Sequence, residues 1–322
     1  MSRFLSQLVP GRGARVVALG HYQPSRVVTN DELSAHLDTN DEWIRSRVGV
    51  QTRRIAAADE SVLAMATAAA AKALANSGVG ADAIDLVIVA TCSTLTPLPN
   101  VATQVAAALQ LRAPAAYDIN TACSGFSYAL ATAHHAMLVG SARHALVVGA
   151  EKLSDWTDWT DRGTCVIFGD GAGAAVVSAC DTEGIGPVVW GSDGELGSGL
   201  RVETRNGKII QEGQKVFRWA TGSLAPIALQ ACELAGIEPS ELAAFVPHQA
   251  NARIIDAIAD RLNVTEAIIA SDIVESGNTS AASIPLALSK LNEQGQLPSG
   301  APVLLFGFGG GLTYAGQVIL SP

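Results

Sequence analysis

The five cysteines of the sequence are scattered and odd in number, and no two of them form a C-x-x-C pair. The missing pairs exclude zinc ribbons and thioredoxin-like sites, and scattered cysteines are typical of a reducing compartment. Uninterrupted apolar runs of about 18 residues, the length that a membrane span needs, are also missing. Residues 1–15 lack the pattern of a cleavable signal peptide. We therefore expect a cytoplasmic protein without a membrane segment.

Basic residues are scarce in this sequence. Lys and Arg together number 21 against 30 Asp and Glu, and the formal net charge of −9 argues against a general nucleic-acid binder. A local basic patch for an acidic partner remains compatible with that balance. Charged residues make up only 16% and hydrophobic residues 48%, which predicts extensive buried area, including a subunit interface. The 322 residues suffice for one large or two ordinary domains.

Strand-like and helix-like segments alternate along most of the chain. This alternation predicts an α/β protein with largely parallel sheets, and the similarity of its two halves suggests an old duplication. We divide the chain into an irregular extension, a first half with the candidate nucleophile, a connecting segment rich in Gly and charge, and a second half: residues 1–14, 15–180, 181–213 and 214–322. The Gly-rich run 169–175 matches neither of the common phosphate-binding fingerprints, and we expect tight turns there.

The most informative stretch covers residues 116–126, A-Y-D-I-N-T-A-C-S-G-F. It predicts a short strand, a turn of small residues and a helix over about 124–138, with Cys123 at the turn. Unpaired N–H groups at a helix N-terminus carry partial positive charge and favour a thiolate. The small residues beside Cys123 leave room for an acyl group. Taken alone, the pattern is more typical of an inert buried cysteine.

Two polar residues follow predicted strands in the second half. His248 lies in V-P-H-Q-A-N and Asn278 in S-G-N-T-S-A-A-S, each at a junction that leads into a helix. Singly, they fit a core histidine and a turn or N-cap residue. Together with Cys123 they indicate a site, since α/β folds build sites at such junctions. The same order of Cys, His and Asn occurs in papain-like hydrolases, whose local C-G-S-C-W signature is missing here.

Residues 41–49 place Trp43 among charged side chains. By itself this segment predicts a surface helix whose Trp packs on the core. A flat aromatic ring beside arginines could also stack on an adenine and bind phosphates.

Six motifs in order identify a family resemblance. The sequence resembles the β-ketoacyl-acyl carrier protein synthase III branch of the thiolase superfamily over residues 15–322, and most closely its actinobacterial members. The motifs are D-E-W-I-R-S-R-V-G (41–49), T-A-C-S-G-F (121–126), F-G-D-G-A-G-A (168–174), P-H-Q-A-N (247–251), G-N-T-S-A-A-S (277–283) and G-F-G-G-G (307–311), together with V-F-R-W-A at 216–220.

The resemblance implies a duplicated five-layered α-β-α-β-α fold, a homodimer and a decarboxylative condensation. Cys123 would take the acyl group from an acyl-CoA, and His248 and Asn278 would assist decarboxylation of malonyl-acyl carrier protein and the condensation. The N–H groups of Cys123 and Gly310 would form the oxyanion hole. The resemblance implies no metal and no redox cofactor.

The resemblance also assigns binding residues. Trp43, Arg47 and Arg162 match the positions that hold the adenine and phosphate end of CoA, and Gly213, Phe217 and Asn251 match the pantetheine channel. Leu98 matches a position, often aromatic, that reaches into the partner's acyl site. Because a carrier protein is acidic, we expect a basic docking patch at Arg218, Arg253 and Arg261.

The sequence leaves the exact activity open within this family. Degradative thiolases carry a second cysteine in the terminal Gly-rich stretch, and residues 301–322 contain none. Chain-elongating synthases have His at the position of Asn278. Priming of polyketide assembly, or acyl transfer without decarboxylation, would use the same Cys123 and His248. The length and branching of the starter acyl group are not fixed by these motifs.

Overall fold

A computed structural model describes residues 13–204 and 207–322 of the chain. Its strands are β1 (Gly13–Tyr22), β2 (Val27–Thr29), β3 (Thr52–Arg54), β4 (Leu86–Ala90), β5 (Ala115–Ile119), β6 (His144–Lys152), β7 (Asp170–Cys180), β8 (Val189–Ser192), β9 (Leu200–Val202), β10 (Ile209–Gln211), β11 (Ala244–Pro247), β12 (Ile268–Ile269), β13 (Pro302–Phe308) and β14 (Thr313–Leu320). Its α-helices are α1 (Asn30–Ser34), α2 (Asp41–Arg47), α3 (Val62–Ser77), α4 (Val101–Ala108), α5 (Gly125–Leu138), α6 (Gly213–Ala235), α7 (Ala252–Leu262), α8 (Ile273–Ser276) and α9 (Ser283–Glu293). Short 3₁₀ turns at Ala122–Ser124, Ser280–Ala282 and Gly310–Leu312 border the site described below.

Two five-stranded sheets share one topology. The first has the strand order β1-β7-β6-β4-β5 and the second the order β8-β14-β13-β11-β12. In the first sheet only β7 runs against the other four strands, and in the second only β14 does. Each strand of the first half thus has a counterpart at the same place and in the same direction in the second half. This repeat supports the duplication, and both sheets are mixed but largely parallel.

Helices cover both sheets and fill the space between them. The apolar faces of α5 and α9 pack between the two sheets in one continuous core. The helices α3 and α4 cover the outer face of the first sheet, and α6 and α7 cover that of the second. The resulting order of layers is α-β-α-β-α. The strands and helices that carry the candidate site therefore meet near the middle layer.

The Gly-rich run 169–175 forms part of a strand, so the expected tight turns are absent there. Residues 170–175 lie in β7, which is buried along most of its length. A Cβ atom on Gly173 would lie 2.5 Å from the backbone nitrogen of Leu286 in α9. The glycine is needed for close helix–strand packing rather than for a turn.

Two predicted segment boundaries also differ from the structure. The connecting segment 181–213 contains β8, the edge strand of the second sheet, so that sheet begins before residue 214. Residues 1–12 of the predicted extension lie outside the described residues, and Gly13 and Ala14 already belong to β1. In the described part of the chain, no helix combines the length and apolar composition that crossing a membrane requires.

Candidate active site

Cys123 lies in the 3₁₀ turn between β5 and α5. The preceding residue, Ala122, has φ +46°, a left-handed conformation that is uncommon for a residue with a side chain. Cys123 is 6% exposed. A Cβ atom on Gly309 would lie 2.8 Å from its Sγ, so only glycine lets the turn after β13 pass this close to the thiol. The backbone on both sides of Cys123 therefore holds the sulfur in a fixed position.

His248 follows β11 and is fully buried. Its Nδ1 lies 2.7 Å from Ser283 Oγ, which also accepts the N–H of Gln249 at 3.3 Å. A serine hydroxyl that accepts one N–H can still donate its own hydrogen, and donation to Nδ1 leaves the ring hydrogen on Nε2. Burial lowers the pKa of His248 to about 3, so the ring is neutral. This arrangement makes Nε2–H a neutral hydrogen-bond donor.

Asn278 follows Gly277, whose φ of +69° requires the left-handed region that glycine tolerates. Its Oδ1 accepts the N–H of Ser280 at 2.9 Å. That bond fixes the orientation of the amide and leaves Nδ2 to donate. The backbone of Asn278 is held on both sides, because its N–H donates to the carbonyl of Ile167 and its carbonyl accepts the N–H of Gly169.

One cavity of about 940 Å³ contains Cys123, His248 and Asn278 in its wall. The structure thus brings together the three side chains that the sequence placed at separate junctions. The same wall holds all the predicted CoA-binding residues and two of the predicted docking residues, namely Trp43, Arg47, Arg162, Gly213, Phe217, Asn251, Arg218 and Arg253. The rings of Phe308 and His248 form a T-shaped pair, with their centroids 5.3 Å apart.

Aromatic rings and guanidinium groups pair in the outer wall of this cavity. The Arg162 guanidinium lies 5.0 Å from the centroid of the Trp43 ring and donates to the carbonyl of Asp38 at 2.6 Å. The Arg253 guanidinium lies 4.9 Å from the centroid of the Phe217 ring. Both contacts have the geometry of cation–π pairs and hold positive charge beside a flat apolar surface.

Asn251 lies in the cavity wall and also stabilises the local fold. Its Oδ1 accepts the N–H of Arg253 at 2.9 Å and so caps α7, and its Nδ2 donates to the carbonyl of Arg47 at 3.0 Å. Its side-chain amide therefore ties α2 to α7 across the cavity mouth.

Two predicted residues lie outside this wall. Leu98 is 79% exposed in the loop before α4, so its predicted role depends on contact with a second chain. Arg261 lies in the last turn of α7 and donates to the carbonyl of Thr221. A docking patch that included Arg261 would have to extend along α7 away from the cavity.

Comparisons with known proteins agree with this geometry. Residues 117–194 match the family described as 3-oxoacyl-[acyl-carrier-protein (ACP)] synthase III, and residues 232–320 match its C-terminal part. The chain is 57% identical to β-ketoacyl-[acyl-carrier-protein] synthase III 4 of Streptomyces coelicolor over 97% of this chain and 99% of the relative. The priming β-ketosynthase of the R1128 polyketide pathway superposes with a TM-score of 0.95 at 42% identity, over 98% of this chain and 99% of that one. The synthase III of Aquifex aeolicus superposes with a TM-score of 0.92 at 39% identity, over 96% and 100%.

The chain belongs to the β-ketoacyl-acyl carrier protein synthase III family. The family and the thiolase-like five-layered fold predicted from the motifs are thereby confirmed, and the protein is a condensing enzyme of the acyltransferase class.

A second cavity of about 430 Å³ adjoins the first in this synthase III family member. Cys123, Phe168 and Leu200 line both cavities. The smaller one is lined further by apolar side chains and by the turn that contains Gly310; these residues include Leu153, Trp156, Val202 and Ile209. Cys123 therefore lies in the walls of two cavities, a large one with cationic and aromatic residues and a smaller, mostly apolar one.

Burial acts against the thiolate that the sequence predicts at Cys123. Burial raises the pKa of the Cys123 thiol to about 11, and the Glu151 carboxylate adds to the rise. Hydrogen bonds with the Ser280 hydroxyl, the Gly310 N–H and the residue's own N–H act in the opposite direction but do not offset burial.

Glu151, at the end of β6, is a site residue that sequence reasoning missed. Its carboxylate is fully buried and accepts hydrogen bonds from Ser93 Oγ at 2.5 Å and from Ser280 Oγ at 3.0 Å. Burial raises the pKa of Glu151, whereas these donors lower it. The sequence signal was an acidic residue directly after the apolar run 145–150, which is unusual at the end of a buried strand.

Proposed function

We propose that the protein transfers an acyl group from acyl-CoA to Cys123 and condenses it with malonyl-acyl carrier protein. The product would be a β-ketoacyl-acyl carrier protein, the first condensation product of fatty acid synthesis. The observation that carries this proposal is the presence of Cys123, His248 and Asn278 in the wall of one cavity with a cationic, aromatic entrance.

In the loading step, the CoA adenine and phosphates bind at the entrance, where Trp43, Arg162 and Arg47 offer a stacking surface and positive charge. The thioester carbonyl then meets Cys123 at the base of the cavity. The new C–S bond forms as the C–S bond to CoA breaks, and the tetrahedral oxyanion accepts the N–H groups of Cys123 and Gly310. Losing one such donor typically slows a reaction by about 10²–10³-fold.

In the condensation step, CO₂ leaves the malonyl group and negative charge develops on its thioester oxygen. His248 Nε2–H and Asn278 Nδ2–H can donate to that oxygen as neutral groups. The enolate carbon then attacks the acyl-Cys123 carbonyl and expels the Cys123 sulfur. Since His248 is neutral and Asn278 is oriented by Ser280, both donors are preorganised before the charge develops.

Intact-mass spectrometry of the purified protein tests the loading step. We expect one acyl adduct after incubation with an acyl-CoA, no adduct in Cys123→Ala, and a normal adduct in the matched control Cys180→Ala, whose thiol lies outside both cavities. Addition of malonyl-acyl carrier protein should remove the adduct and yield CO₂ with β-ketoacyl-carrier protein. An enzyme that forms no Cys123 adduct with any acyl-CoA in a panel of chain lengths would disprove the proposal.

Priming of polyketide assembly is the second candidate. It is favoured by the TM-score of 0.95 to a priming β-ketosynthase. Product analysis with malonyl groups on fatty-acid and polyketide carrier proteins distinguishes the two, since a priming enzyme should prefer the polyketide carrier. Product formation without CO₂ release would instead indicate simple acyl transfer. A papain-like hydrolase would cleave amides through Cys123, a reaction for which family membership gives no support.

We also propose that the protein is a cytoplasmic homodimer. Strand β5 is the edge strand of the first sheet, so its outer backbone groups lack a partner within that sheet. Apolar side chains beside it are exposed, with Tyr117 at 37%, Leu95 at 46% and Leu98 at 79%. Contact through this edge would bring Leu98 toward a partner's acyl chamber. Analytical ultracentrifugation should find a dimer, and a monomeric wild type would contradict this part of the proposal.

A further inference from the structure

The orientation of the Asn278 amide depends on one backbone N–H group. Its Oδ1 accepts the N–H of Ser280 at 2.9 Å, and no second hydrogen bond to this amide occurs within the part of the chain that the structure describes. Ser280 has φ +48°, a left-handed conformation that is uncommon for a residue with a side chain. Such a backbone persists only where its surroundings hold it, so the contacts of the turn at Ser280–Ala282 decide where the Asn278 amide points.

A similar turn carries the nucleophile in the first half of the chain. The turns at Ala122–Ser124 and Ser280–Ala282 both begin with a residue in the left-handed region, at φ +46° and φ +48° respectively. Each turn leads directly into one of the two central helices, α5 after the first and α9 after the second. The two turns are therefore counterparts within the duplicated fold.

The strands that support these two turns are counterparts as well, since β6 and β13 occupy the same place in their sheets. Each has a glycine that passes close to its turn, Gly149 in β6 and Gly307 in β13. Two residues later the halves differ, because Gly309 lies against Cys123 whereas the equivalent position in β6 is Glu151. A buried carboxylate thus lies against the second turn at the position where a glycine lies against the first.

One oxygen of Glu151 binds the turn that orients Asn278. Glu151 Oε1 accepts hydrogen bonds from Ser280 Oγ at 3.0 Å and from the N–H of Ala281 at 3.4 Å. The thiol of Cys92 donates to the same oxygen at 3.3 Å and lies 3.8 Å from Ser280 Oγ. The carboxylate is therefore bound to both the side chain of Ser280 and the backbone that follows it.

The other oxygen fixes the carboxylate to the loop after β4. Glu151 Oε2 accepts hydrogen bonds from Ser93 Oγ at 2.5 Å, from the Ser93 N–H at 3.1 Å and from Thr91 Oγ1 at 3.2 Å. The Cys92 N–H donates to both oxygens, at 3.2 and 3.1 Å. A buried carboxylate in such a ring of donors cannot turn away without leaving them unpaired. Glu151 is therefore a fixed support for the turn that it binds.

We propose that Glu151 is a positioning residue for the condensation step. It holds the turn at Ser280–Ala282 so that the Ser280 N–H keeps the Asn278 amide in the one orientation that leaves Nδ2 to donate to the enolate oxygen. Glu151 acts through Ser280 and Asn278 and does not itself contact the substrate. This inference rests on the proposed function and adds the residue that fixes the direction of one of its two donors.

Glu151→Gln should slow the condensation and spare the loading. A glutamine has one side-chain oxygen, and the donors of Thr91 and Ser93 favour placing it at the Oε2 position, which puts the NH₂ group against the Ala281 N–H. Two donors that face each other push the turn away. We expect kcat for CO₂ release to fall by about 10²-fold, as a misplacement of about 1 Å can cause, while KM for malonyl-acyl carrier protein stays within about threefold. Single-turnover acylation of Cys123, read by intact mass, should also stay within about threefold of the wild type.

A double-mutant cycle with Asn278→Ala separates positioning from general support of the fold. If Glu151 acts through Asn278, then Glu151→Gln should slow CO₂ release by less than about threefold once the amide is gone, because both changes remove the same contribution. A residue that only supports the fold would slow the Asn278→Ala enzyme by the same factor as the wild type. Losses that multiply in this way would disprove the proposal.

Two further variants complete the test, and circular dichroism melting verifies the fold of each. Ser280→Ala removes the hydroxyl that binds Oε1, so it should show the same split between condensation and loading, and it keeps the test decisive if Glu151→Gln fails to fold. Thr91→Val is the matched control, since it removes a hydrogen bond at Oε2 and should leave both steps within about threefold. If Glu151→Gln or Ser280→Ala slows loading as much as condensation, the positioning role is wrong. A wild type that never loads overturns the proposed function itself.

Discussion

At the scale of single residues, the two half-reactions depend on different hydrogen bonds. Asn278 has its Oδ1 bound by the Ser280 N–H, which leaves Nδ2 to donate. In the proposed mechanism, loading of Cys123 uses instead the N–H groups of Cys123 and Gly310. A change at Asn278 should therefore affect the condensation and spare the loading.

We expect Asn278→Ala to lower the rate of decarboxylation of malonyl-acyl carrier protein by about 10²–10³-fold, because one of two neutral donors to the enolate oxygen is lost. Acylation of Cys123 should change by less than about threefold. CO₂ release and intact mass measure the two steps. The matched control is Asn76→Ala, whose amide binds the carbonyl of Leu19 outside the cavity. Equal losses in both steps would show that Asn278 only supports the local fold.

The sequence was sufficient to select three residues that the structure brings into one cavity wall, but not their surroundings. Cys123, His248 and Asn278 each stand at a strand-to-helix junction in a recognisable motif. The helix N-terminus at Cys123 is a local feature of the sequence, whereas the burial that raises the pKa of its thiol arises from distant segments such as the turn at Gly309. Glu151 was missed because the hydrogen-bond donors around its carboxylate come from residues 91–93 and from Ser280, and no local sequence pattern connects these segments.

At the scale of elements, close approach between backbones positions the site. Strand β6 passes directly under the turn at Ser280–Ala282, and a Cβ atom on Gly149 would lie 2.3 Å from the carbonyl oxygen of Ala281. Such a contact cannot be relieved by a side-chain rotation. Gly149 therefore fixes how closely the turn at Ser280–Ala282 can approach β6.

We expect Gly149→Ala to destabilise the fold by about 1–3 kcal/mol or more, as overpacked cores do, and to slow condensation as the turn moves. The matched control is Gly222→Ala in α6, where no atom lies within 4 Å of the added Cβ. That control should stabilise the fold by about 0.5–1 kcal/mol, since glycine is unfavourable inside a helix. Urea unfolding measures both. A neutral Gly149→Ala would mean that the turn has room to adjust.

The first turn of α7 is the element we expect a carrier protein to contact. Arg253 lies there, over the Phe217 ring and beside Arg218 at the cavity mouth. Such a patch has the charge needed to attract an acidic partner despite the net charge of −9.

We expect Arg253→Glu to raise the KM for malonyl-acyl carrier protein by about tenfold or more, and to raise it less at high salt, because repulsion replaces attraction. Loading from an acyl-CoA should change much less. Steady-state kinetics with varied carrier protein measure the effect, and Arg143→Glu, an exposed charge reversal before β6, is the control. An unchanged KM would remove Arg253 from the docking patch.

At the scale of the whole molecule, the repeated topology explains both what the sequence predicted and what it could not. Alternating strands and helices predicted the α/β class, and both sheets are largely parallel. The place of β8 was not predictable, because its four residues pair with β14, which lies more than a hundred residues further along the chain. The extended conformation of residues 170–175 was not predictable either, because glycine is needed there for close contact with the backbone of α9, which is distant in the sequence.

Burying the site also couples the stability of the fold to pH. The pKa of His248 is about 3 in the folded protein and 6.5 for a histidine in the unfolded chain. As the pH falls, the unfolded chain therefore binds a proton first. Its contribution is therefore fully present above pH 6.5 and is lost progressively between pH 6.5 and 3. The loss approaches about 1.4 kcal/mol per pH unit below 6.5.

Replacing His248 should remove this dependence. We expect the wild type to lose about 1 kcal/mol more of its free energy of unfolding than His248→Gln does between pH 7 and pH 5.5, as measured by urea unfolding. Taking the difference between the two proteins cancels the contributions of buried carboxyls such as Glu151 and Asp170, whose raised pKa values act with the opposite sign. The control is His36→Gln, whose side chain is exposed. If wild type and His248→Gln follow parallel pH curves, the imidazole accepts a proton within the fold, and its role as a fixed neutral donor fails.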